Sequence, residues 1–300
     1  MKDDSKTVTS RTNRARVWPD HRPASDRPLY GLKMFRWRRS LFGRFHRAAP
    51  VAYIARQAWK IYSAWMNHDF NLSRNGEAWI ANFLARDPDV GPAPIFFDVG
   101  ANEGEWTYLA ARRNPQLTVH VFEISPDTYA ALSENLSTLA NVRLNQVGLY
   151  KEEGEIEIFA NRSPDMTSVF RHPDWQGEAL CKVPVMRGDA YMAREGLSHI
   201  HFLKIDVEGA EAEVLAGFEQ ALADGRVDVI QFEYNEFSIA LRRLLRDYYD
   251  LLSEFKIGRL FPNFVDFRAY ETSMDDFAPS NYIAVRKDLP GLIERLRRGS

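Results

Sequence analysis

Apolar and polar positions change their pattern near residue 92 of this 300-residue chain. Beyond that point, short apolar runs alternate with stretches of helical periodicity. The predicted strands are "IFFDV", "TVHVFEI", "VRLNQVGL", "IHFLKIDV" and "VDVIQFEY", and the predicted helices span 103–113, 126–139, 209–222 and 237–255. Alternation of this kind predicts an α/β fold, with a doubly wound, mostly parallel sheet and helices on both faces.

Three parts of the chain depart from this alternation. Residues 1–30 are polar, contain prolines and show no periodicity, which predicts a disordered arm. Residues 31–70 predict an N-terminal helical extension ahead of the main domain, 71–300. Within that domain, residues 150–190 combine alternating and irregular extended stretches. They predict a β-rich insertion or flap.

Charge is divided unevenly along the chain. Residues 1–60 hold 15 Lys/Arg and 4 Asp/Glu, whereas the other 240 residues hold 24 and 37. The basic, aromatic stretch 30–48 fits either a surface helix that contacts lipid headgroups or nucleic acid, or a docking helix with solvated arginines. The next helix is expected to pack one apolar face on the body, through Ile54, Ala58, Ile61 and Trp65.

Three further properties concern the cellular compartment. The longest apolar runs fall well short of the ~18 residues that a membrane-spanning helix needs. The polar start "MKDDSKTVTS" differs from a secretory signal. Cys181 is the only cysteine, so no internal disulfide can form. We therefore predict a cytoplasmic location.

The first strand ends in a turn, "VGANEGEW", that suits a nucleoside ligand. Gly100 permits a sharp bend, and Gly104 permits close approach to a helix whose amino end offers free N–H groups. A dinucleotide site needs G-x-G-x-x-G for its pyrophosphate, whereas the spacing here is G-x-x-x-G. Glu103 and Glu105 would repel a pyrophosphate and tolerate cationic S-adenosylmethionine, although they also suit simple compensation of the helix dipole. A nicotinamide-dependent oxidoreductase is the alternative enzyme class.

Polar residues also end the next two strands, where a nucleoside binds in a doubly wound sheet. Glu123 follows Gly104 by 19 residues and is predicted to bind both ribose hydroxyls, the alternative being a surface acid. Asn145 or Gln146 is placed to bond the adenine edge. Ile124, Gln146 and Asp206 are included in the predicted cofactor-binding set.

The stretch "FLKIDVEGAEAEVL" is a second dense motif. Lys204 lies within an apolar strand, which is costly unless it is paired. Lys204 and Asp206 share one strand face, so they form either a buried ion pair or part of the reaction centre. Asp206 is the first candidate for general base and Glu233 the second, and Lys204 completes the predicted catalytic set. The predicted substrate contacts are Glu208, His172 and Asn235, of which His172 is the third candidate base.

Five segments, in this order, resemble the FkbM-type family of S-adenosylmethionine-dependent methyltransferases: "FFDVGANEGEWT", "VHVFEISP", "NQVG", "HIHFLKIDVEGAEAEVLAG" and "DVIQFEYN". The resemblance covers about 71–287. It implies a seven-stranded Rossmann-like sheet with the last strand antiparallel, and O-methylation of a sugar, glycolipid or polyketide-like hydroxyl with S-adenosylhomocysteine as product. It places cofactor contacts at Asp98, Gly100, Asn102, Gly104 and Glu123. The sequence departs from the family in "VMRGDAY" and in its basic extension.

Other ligand classes fit less well. His199 and His201 have H-x-H spacing but lie at the opposite end of their strand from the crevice, so no metal ligand is assigned to them. A metal held by Asp206 and nearby acids is an alternative that we do not expect. No N/D-P-P-Y/F stretch is present to grip a flipped base, so a nucleic-acid substrate is not expected.

The predicted partner is a small-molecule or glycan hydroxyl, and peripheral membrane contact through the basic arm is left open. A non-catalytic scaffold that docks through 30–48 is the remaining alternative.

Overall fold

The computed structural model describes residues 44–45, 48–69, 71–160, 167–171 and 178–299. The chain divides into two units, Met1–Trp59 and Lys60–Ser300. The predicted disordered arm lies outside the described residues. The domain boundary at residue 70 stays a prediction.

The strands of the second unit form two sheets. In chain order they are β1 (Ile95–Val99), β2 (Thr118–Phe122), β3 (Val142–Asn145), β4 (Gly148–Leu149), β5 (Gly154–Ala160), β6 (Thr167–Ser168), β7 (Ala179–Met186), β8 (Ile200–Ile205), β9 (Val227–Tyr234), β10 (Phe255–Phe261), β11 (Phe264–Phe267) and β12 (Ser280–Arg286). The main sheet has the order β11-β10-β12-β9-β8-β1-β2-β3, and the second sheet has the order β4-β7-β5-β6.

The main sheet confirms the predicted doubly wound α/β fold. Strands β3, β2, β1, β8 and β9 are parallel neighbours, and β12 runs antiparallel to both β9 and β10. The last strand is therefore antiparallel, as the family resemblance implies. The predicted count of seven strands is corrected to eight, because β11 pairs antiparallel with β10 at the edge of the sheet.

Three strands of the second sheet, β5, β6 and β7, lie within residues 150–190, where the sequence predicts a β-rich insertion, and β4 immediately precedes them. Strand β5 pairs antiparallel with both β6 and β7, and β4 pairs parallel with β7. The single predicted strand "VRLNQVGL" is corrected here. Its first part is β3 of the main sheet, and its last residues form β4 of the second sheet. The chain thus passes from one sheet to the other beside the carboxyl end of β2.

The helices in chain order are α1 (Ala49–Trp65), α2 (Glu77–Leu84), α3 (Glu105–Arg113), α4 (Pro126–Leu136), α5 (Gly188–Arg194), α6 (Glu211–Gly217), α7 (Glu219–Ala223), α8 (Phe237–Leu241), α9 (Leu245–Leu251) and α10 (Pro290–Arg298). Ser125 is the N-cap of α4, and its hydroxyl accepts from the Thr128 N–H. Two long predicted helices are each split into two. The second break follows from Arg242, whose left-handed φ of 54° ends α8.

The core lies on both faces of the main sheet, because neighbouring strand residues point to opposite sides. Phe96 and Phe202 belong to the cluster on one face, whereas Phe97 and Leu203 belong to the cluster on the other. All four side chains are buried. This two-sided burial explains the nearly continuous apolar runs in β1 and β8.

Helix α1 is present, but its predicted inner face is not buried. Ile54, Ile61 and Trp65 are 55%, 71% and 70% exposed. Residues 49–59 of this helix belong to one unit and residues 60–65 to the other, so its packing on the body stays a prediction. None of the helices in the described ranges combines the length and the apolar character that crossing a bilayer requires.

Candidate active site

A cavity of about 270 Å³ opens at the carboxyl edge of the main sheet. Strand β1 lies between β2 and β8, so the strand order reverses there, and a ligand crevice is expected at this place in a doubly wound sheet. Among the described residues, the walls come from the turn after β1, the end of β2, the loop after β8 and the second sheet. The last of these walls belongs to the predicted β-rich insertion.

The turn after β1, residues 100–104, will be called the glycine turn. Gly100 has a φ of +81°, and a Cβ placed on it would lie 1.8 Å from the Asp206 carbonyl oxygen. Only glycine fits this position without moving the backbone. The N–H groups of Gly100 and Ala101 both donate to the Phe122 carbonyl oxygen, at 3.0 and 3.1 Å. These hydrogen bonds hold the glycine turn against the end of β2, and Gly100 and Asn102 of the turn line the cavity.

Gly104 lies in close contact with helix α4. A Cβ at this position would lie 2.7 Å from Leu132 Cδ1 and 3.0 Å from Leu136 Cδ1, both on α4. Gly104 is not among the described residues that line the cavity, whereas Asn102 is. The second glycine of the turn therefore permits close packing of α4, and its role as a cofactor contact stays a prediction.

Glu123, at the end of β2, is buried and lines the cavity. Its Oε2 accepts from the Asn102 N–H at 2.9 Å, and its Oε1 accepts from the Ser125 N–H at 2.8 Å. Burial raises the pKa of Glu123, and the two backbone donors act against that rise. Each carboxylate oxygen has a second lone pair, so the group can still accept from two neighbouring hydroxyls of a bound ribose.

Apolar side chains line the cavity beyond Glu123. Ile124, Val147 and Val207 are among them. A Cβ on Gly148 would lie 2.5 Å from Ile124 Cδ1, so the glycine at position 148 leaves room for the Ile124 side chain. Flat apolar walls of this kind suit the faces of an adenine ring. The glycine turn, the buried carboxylate and this wall together fit S-adenosylmethionine.

The two amides proposed for the adenine edge have different positions. Asn145 donates through Nδ2 to the carbonyl oxygens of Val121 and Arg143, and its Oδ1 accepts from the Tyr191 hydroxyl. Its polar atoms are therefore engaged within the protein. Gln146 is exposed and does not belong to the described cavity lining. Its contact with adenine stays a prediction.

Lys204 and Asp98 form a buried ion pair, whereas the sequence interpretation considered only Asp206 as the partner of Lys204. Lys204 Nζ donates to Asp98 Oδ1 and to Asp206 Oδ2, both at 3.2 Å, and Thr107 donates to Asp98 Oδ2 at 2.6 Å. Burial opposes the positive charge of Lys204, but attraction to Asp98 and Asp206 outweighs it and raises the pKa. The side chains of Lys204 and Asp98 are only 4% and 0% exposed, and neither lines the cavity.

Asp206 is the member of this group that reaches the cavity. Its side chain is 37% exposed, and it is among the lining residues. Its backbone N–H donates to the Val99 carbonyl oxygen at 2.9 Å, so β8 continues to this residue beside β1. Lys204 therefore contacts the Asp206 carboxylate without lining the cavity itself.

The loop after β8, residues 206–210, will be called the acidic loop, and it is held from two sides. Glu211 Oε1 accepts from the N–H groups of Val207 and Gly209, at 3.3 and 3.1 Å. Burial raises the pKa of Glu211 to about 7. From the second sheet, the Ser168 hydroxyl donates to the Glu208 carbonyl oxygen at 2.8 Å. Glu208 has a φ of 53° and lines the cavity, where it can contact a substrate.

The other predicted site residues lie differently. Asn235 Nδ2 donates to Glu233 Oε2 at 2.9 Å, and neither residue lines the cavity in the described part of the chain. Burial, with the negative charges of Asp206 and Glu208, raises the pKa of Glu233 well above its ordinary value. The role of Glu233 as the second candidate base stays a prediction. His172 lies outside the described residues.

One cluster in the described ranges, formed by His199, His201 and Asp228, has a metal-like geometry. His201 Nδ1 accepts from the Ile95 N–H at 3.0 Å, which places the proton of a neutral ring on Nε2 and leaves that nitrogen no lone pair for a metal. Burial lowers the pKa of His201, so the neutral ring is favoured. Asp228 is occupied by His199 at 2.7 Å and by Arg286 at 3.4 Å. Hydrogen bonds and an ion pair within the protein therefore explain why these three side chains lie close together.

The sequence interpretation missed a buried polar group beneath Lys204. Glu77 on α2 accepts from Gln231 Nε2 at 2.5 Å and from Asn75 Nδ2 at 3.0 Å. Burial raises the pKa of Glu77, and the charge of Lys204 acts in the opposite direction. The glutamine inside the apolar run "VDVIQFEY" could have indicated such a group, because a buried amide needs a polar partner.

Three curated relatives show what the chain is similar to. It is 27% identical over 190 residues to "2-O-methyltransferase NoeI" of Sinorhizobium fredii, covering 58% of this chain and 77% of the relative. It is 30% identical over 169 residues to "31-O-demethyl-FK506 methyltransferase FkbM" of Streptomyces tacrolimicus, covering 46% and 65%. It is 28% identical over 129 residues to "Hexuronic acid methyltransferase AglP" of Haloferax volcanii, covering 43% and 51%.

The family comparison gives the same result as these relatives. The model described as "Methyltransferase FkbM domain" matches residues 98–259, which is more than half of the chain and includes the glycine turn and the acidic loop. This match decides against the nicotinamide-dependent alternative. The chain belongs to the FkbM family of S-adenosylmethionine-dependent methyltransferases.

Proposed function

We propose that this protein transfers a methyl group from S-adenosylmethionine to a hydroxyl of a sugar, a glycolipid or a polyketide-like natural product. The observation that carries the proposal is a single cavity whose lining includes both Glu123 and Asp206. The names of relatives support the acceptor class, since they specify a 2-O position, a 31-O-demethyl substrate and a hexuronic acid.

In this proposal the two carboxylates have different tasks. Glu123, fixed by the N–H groups of Asn102 and Ser125, accepts hydrogen bonds from the ribose hydroxyls. S-adenosylmethionine, when bound, supplies an electrophilic methyl group on sulfur. Burial of the adenosine between Glu123 and the apolar wall then fixes the direction from which an acceptor must approach.

Asp206 is the proposed general base. As the acceptor oxygen forms its bond to the methyl carbon, the sulfur–carbon bond breaks and the hydroxyl proton passes to the Asp206 carboxylate. Lys204 fixes one carboxylate oxygen of Asp206, which leaves the other to face the acceptor. Glu208 and the wall from the second sheet, including Ile156 and Val169, are the proposed acceptor contacts.

The first test is direct detection of product. The protein is incubated with isotopically labelled methyl donor and a panel of hydroxylated sugars, glycolipids and polyketides, and the products are read by mass spectrometry. We expect labelled methyl on oxygen in at least one class. Labelled methyl on nitrogen or carbon only, or no transfer to any hydroxyl, would contradict the proposal.

The second test separates the two carboxylates. Glu123→Ala should weaken binding of S-adenosylhomocysteine by about 10- to 100-fold in calorimetry, since charge-assisted hydrogen bonds contribute about 1.5–3 kcal/mol. Asp206→Asn should lower kcat by about 100-fold or more and leave that affinity within about threefold. Glu134→Ala and Asp224→Asn, at exposed acids outside the cavity, are matched controls. Equal losses of affinity in both site variants would refute the division of roles.

A further inference from the structure

A second cavity, of about 940 Å³, lies at the edge of the main sheet opposite the active site and will be called the amino-edge cavity. Its walls include the first residues of β10 and Lys287, which follows β12. Val285 of β12 pairs with Val229 near the start of β9, so this is the edge where the parallel strands begin. Among the described residues, none lines both cavities.

The amino-edge cavity arises because two neighbouring strands differ in length. Strand β11 pairs with β10 from Gly258 to Phe261, whereas β10 begins at Phe255. The start of β10 therefore extends past the end of β11, and residues 268–270, which follow β11, line the space beside it. Helix α10 contributes a further wall through Ile293 and neighbouring residues.

The lining of the amino-edge cavity is basic. Its cations are Lys256, Arg268, Lys287 and Arg297. Glu294 is the acid in that lining, and it pairs with Arg297 at 3.3 Å. Asp266 pairs with Arg268 from outside the lining. Two positive charges therefore remain in excess over these two acids, although residues 61–300 as a whole are acidic.

The four cations retain N–H donors for a ligand. Lys256 forms no ion pair with another residue of the described ranges. Lys287 Nζ donates to the Ser253 carbonyl oxygen and has two further N–H groups. Arg268 and Arg297 are 55% and 44% exposed, and a guanidinium with five donors is not saturated by one carboxylate. A phosphate ester carries about −1.5 to −2 charges near pH 7, so it matches the excess of two better than one carboxylate does.

Two tyrosine rings add an apolar surface beside these cations. Tyr249 and Tyr270 both line the amino-edge cavity, with their ring centroids 5.7 Å apart and their planes at 58°. The Tyr249 hydroxyl donates to the Arg268 carbonyl oxygen at 3.3 Å, and the Tyr270 hydroxyl donates to Asp275, so both rings are held in place. Inorganic phosphate would leave the rings without a contact, whereas a ligand that also has a ring can pack on them.

We propose that the amino-edge cavity binds a phosphate ester that carries a sugar or nucleoside ring. The cations would bind the phosphate oxygens, and the tyrosine rings would contact the sugar or nucleoside. The volume of about 940 Å³ lies within the range of about 300–1,000 Å³ that is usual for small-molecule sites. The inference is independent of the methyl acceptor, since the two cavities lie at opposite edges of the sheet.

Calorimetry with the full-length protein tests this proposal. S-adenosylhomocysteine is kept at saturation, so that a nucleotide does not enter the active site. The two esters are glucose 1-phosphate and uridine monophosphate, and glucose and inorganic phosphate serve as probes that each lack one part.

The variants separate the charge from the rings. The charge variant is Lys256→Gln/Arg297→Gln, and its control is Arg113→Gln/Lys182→Gln, which neutralises two exposed cations outside both cavities. The ring variant is Tyr270→Leu, and its control is Tyr270→Phe, because both lose the hydroxyl that contacts Asp275 and only the leucine also loses the ring. Circular dichroism verifies that all four remain folded.

We expect the wild type and both controls to bind at least one ester about tenfold or more tightly than glucose or inorganic phosphate. The charge variant should weaken ester binding by about tenfold or more, and the ring variant by about three- to tenfold. The ester that binds more tightly identifies the ligand as a sugar phosphate or a nucleotide.

Absence of heat with both esters overturns the proposal, as does ester binding that the charge variant or the ring variant leaves unchanged. Inorganic phosphate or glucose that binds as tightly as the esters also overturns it, since one half of the recognition would then be absent. Tighter binding of a single-stranded oligonucleotide than of either ester has the same consequence, because the surface would then be a nucleic-acid site.

Discussion

Replacement of Lys204 by methionine tests how much the buried charge group contributes to stability. Methionine keeps a similar unbranched shape and removes the ammonium that contacts Asp98 and Asp206. Asp206 is 37% exposed and can be hydrated, but Asp98 is 0% exposed and, among the described residues, would keep only the hydrogen bond from Thr107. The energetic loss should therefore arise mainly at Asp98.

The expected magnitude is about 3–5 kcal/mol, the usual cost of removing one partner from a buried ion pair. That is a large share of a total stability of about 5–15 kcal/mol. Urea unfolding followed by circular dichroism should show a lower midpoint with an unchanged slope. Arg246→Met is the matched control, since Arg246 and its partner Asp250 are 64% and 72% exposed and such a pair contributes at most about 1 kcal/mol.

A double variant distinguishes the stranded charge from lost packing. In Lys204→Met/Asp98→Asn neither residue of the buried pair carries a charge, and the asparagine can still accept from Thr107. Its stability should recover to within about 1–2 kcal/mol of the wild type. A cost below about 1 kcal/mol for Lys204→Met, or a double variant as unstable as the single one, would refute this reasoning.

Three other predictions concern the loops around the cavity. Burial raises the pKa of Glu211 to about 7 from 4.5, so its destabilising effect is absent below about pH 4.5, grows as the pH rises and is complete above about pH 7. Glu211→Gln should thus gain up to about 3 kcal/mol relative to wild type between pH 4.5 and 8 in urea titrations, and a constant difference would contradict this. Ser168→Ala should raise KM for the acceptor and leave S-adenosylhomocysteine affinity unchanged, since it removes the bond to the Glu208 carbonyl; a change in that affinity alone would count against it. Gly217→Ala should destabilise by about 1–3 kcal/mol on unfolding, because its Cβ would lie 2.2 Å from the Tyr150 carbonyl oxygen, and a gain would exclude that contact.

The sequence predicted the parts of the site that depend on strand ends. Parallel strands bring Gly100, Glu123 and Asp206 to one edge whatever the details of packing, so periodicity alone was sufficient. The sequence left open whether Lys204 was a buried partner or a reacting group. Which of the two roles Lys204 has depends on the distance between its side chain and that of Asp98 on the neighbouring strand. The spacing of residues along one strand gives no information about that distance.

Other features could not be predicted because they depend on contacts distant in sequence. The close approach of Leu132 to Gly104 arises between two consecutive helices, and the turn spacing gave no sign of it. Gln231 meets Glu77 across 154 residues. The periodicity of α1 identifies a face of the helix but not what covers it.

The fit of Gly100 against the Asp206 carbonyl oxygen has a consequence for how this enzyme can change. The glycine turn and the acidic loop approach each other there without any intervening side chain. A substitution that moves one backbone therefore displaces the other. Variants selected for a new acceptor should accumulate in Ile156, Val169 and neighbouring wall residues, where alterations leave this junction intact.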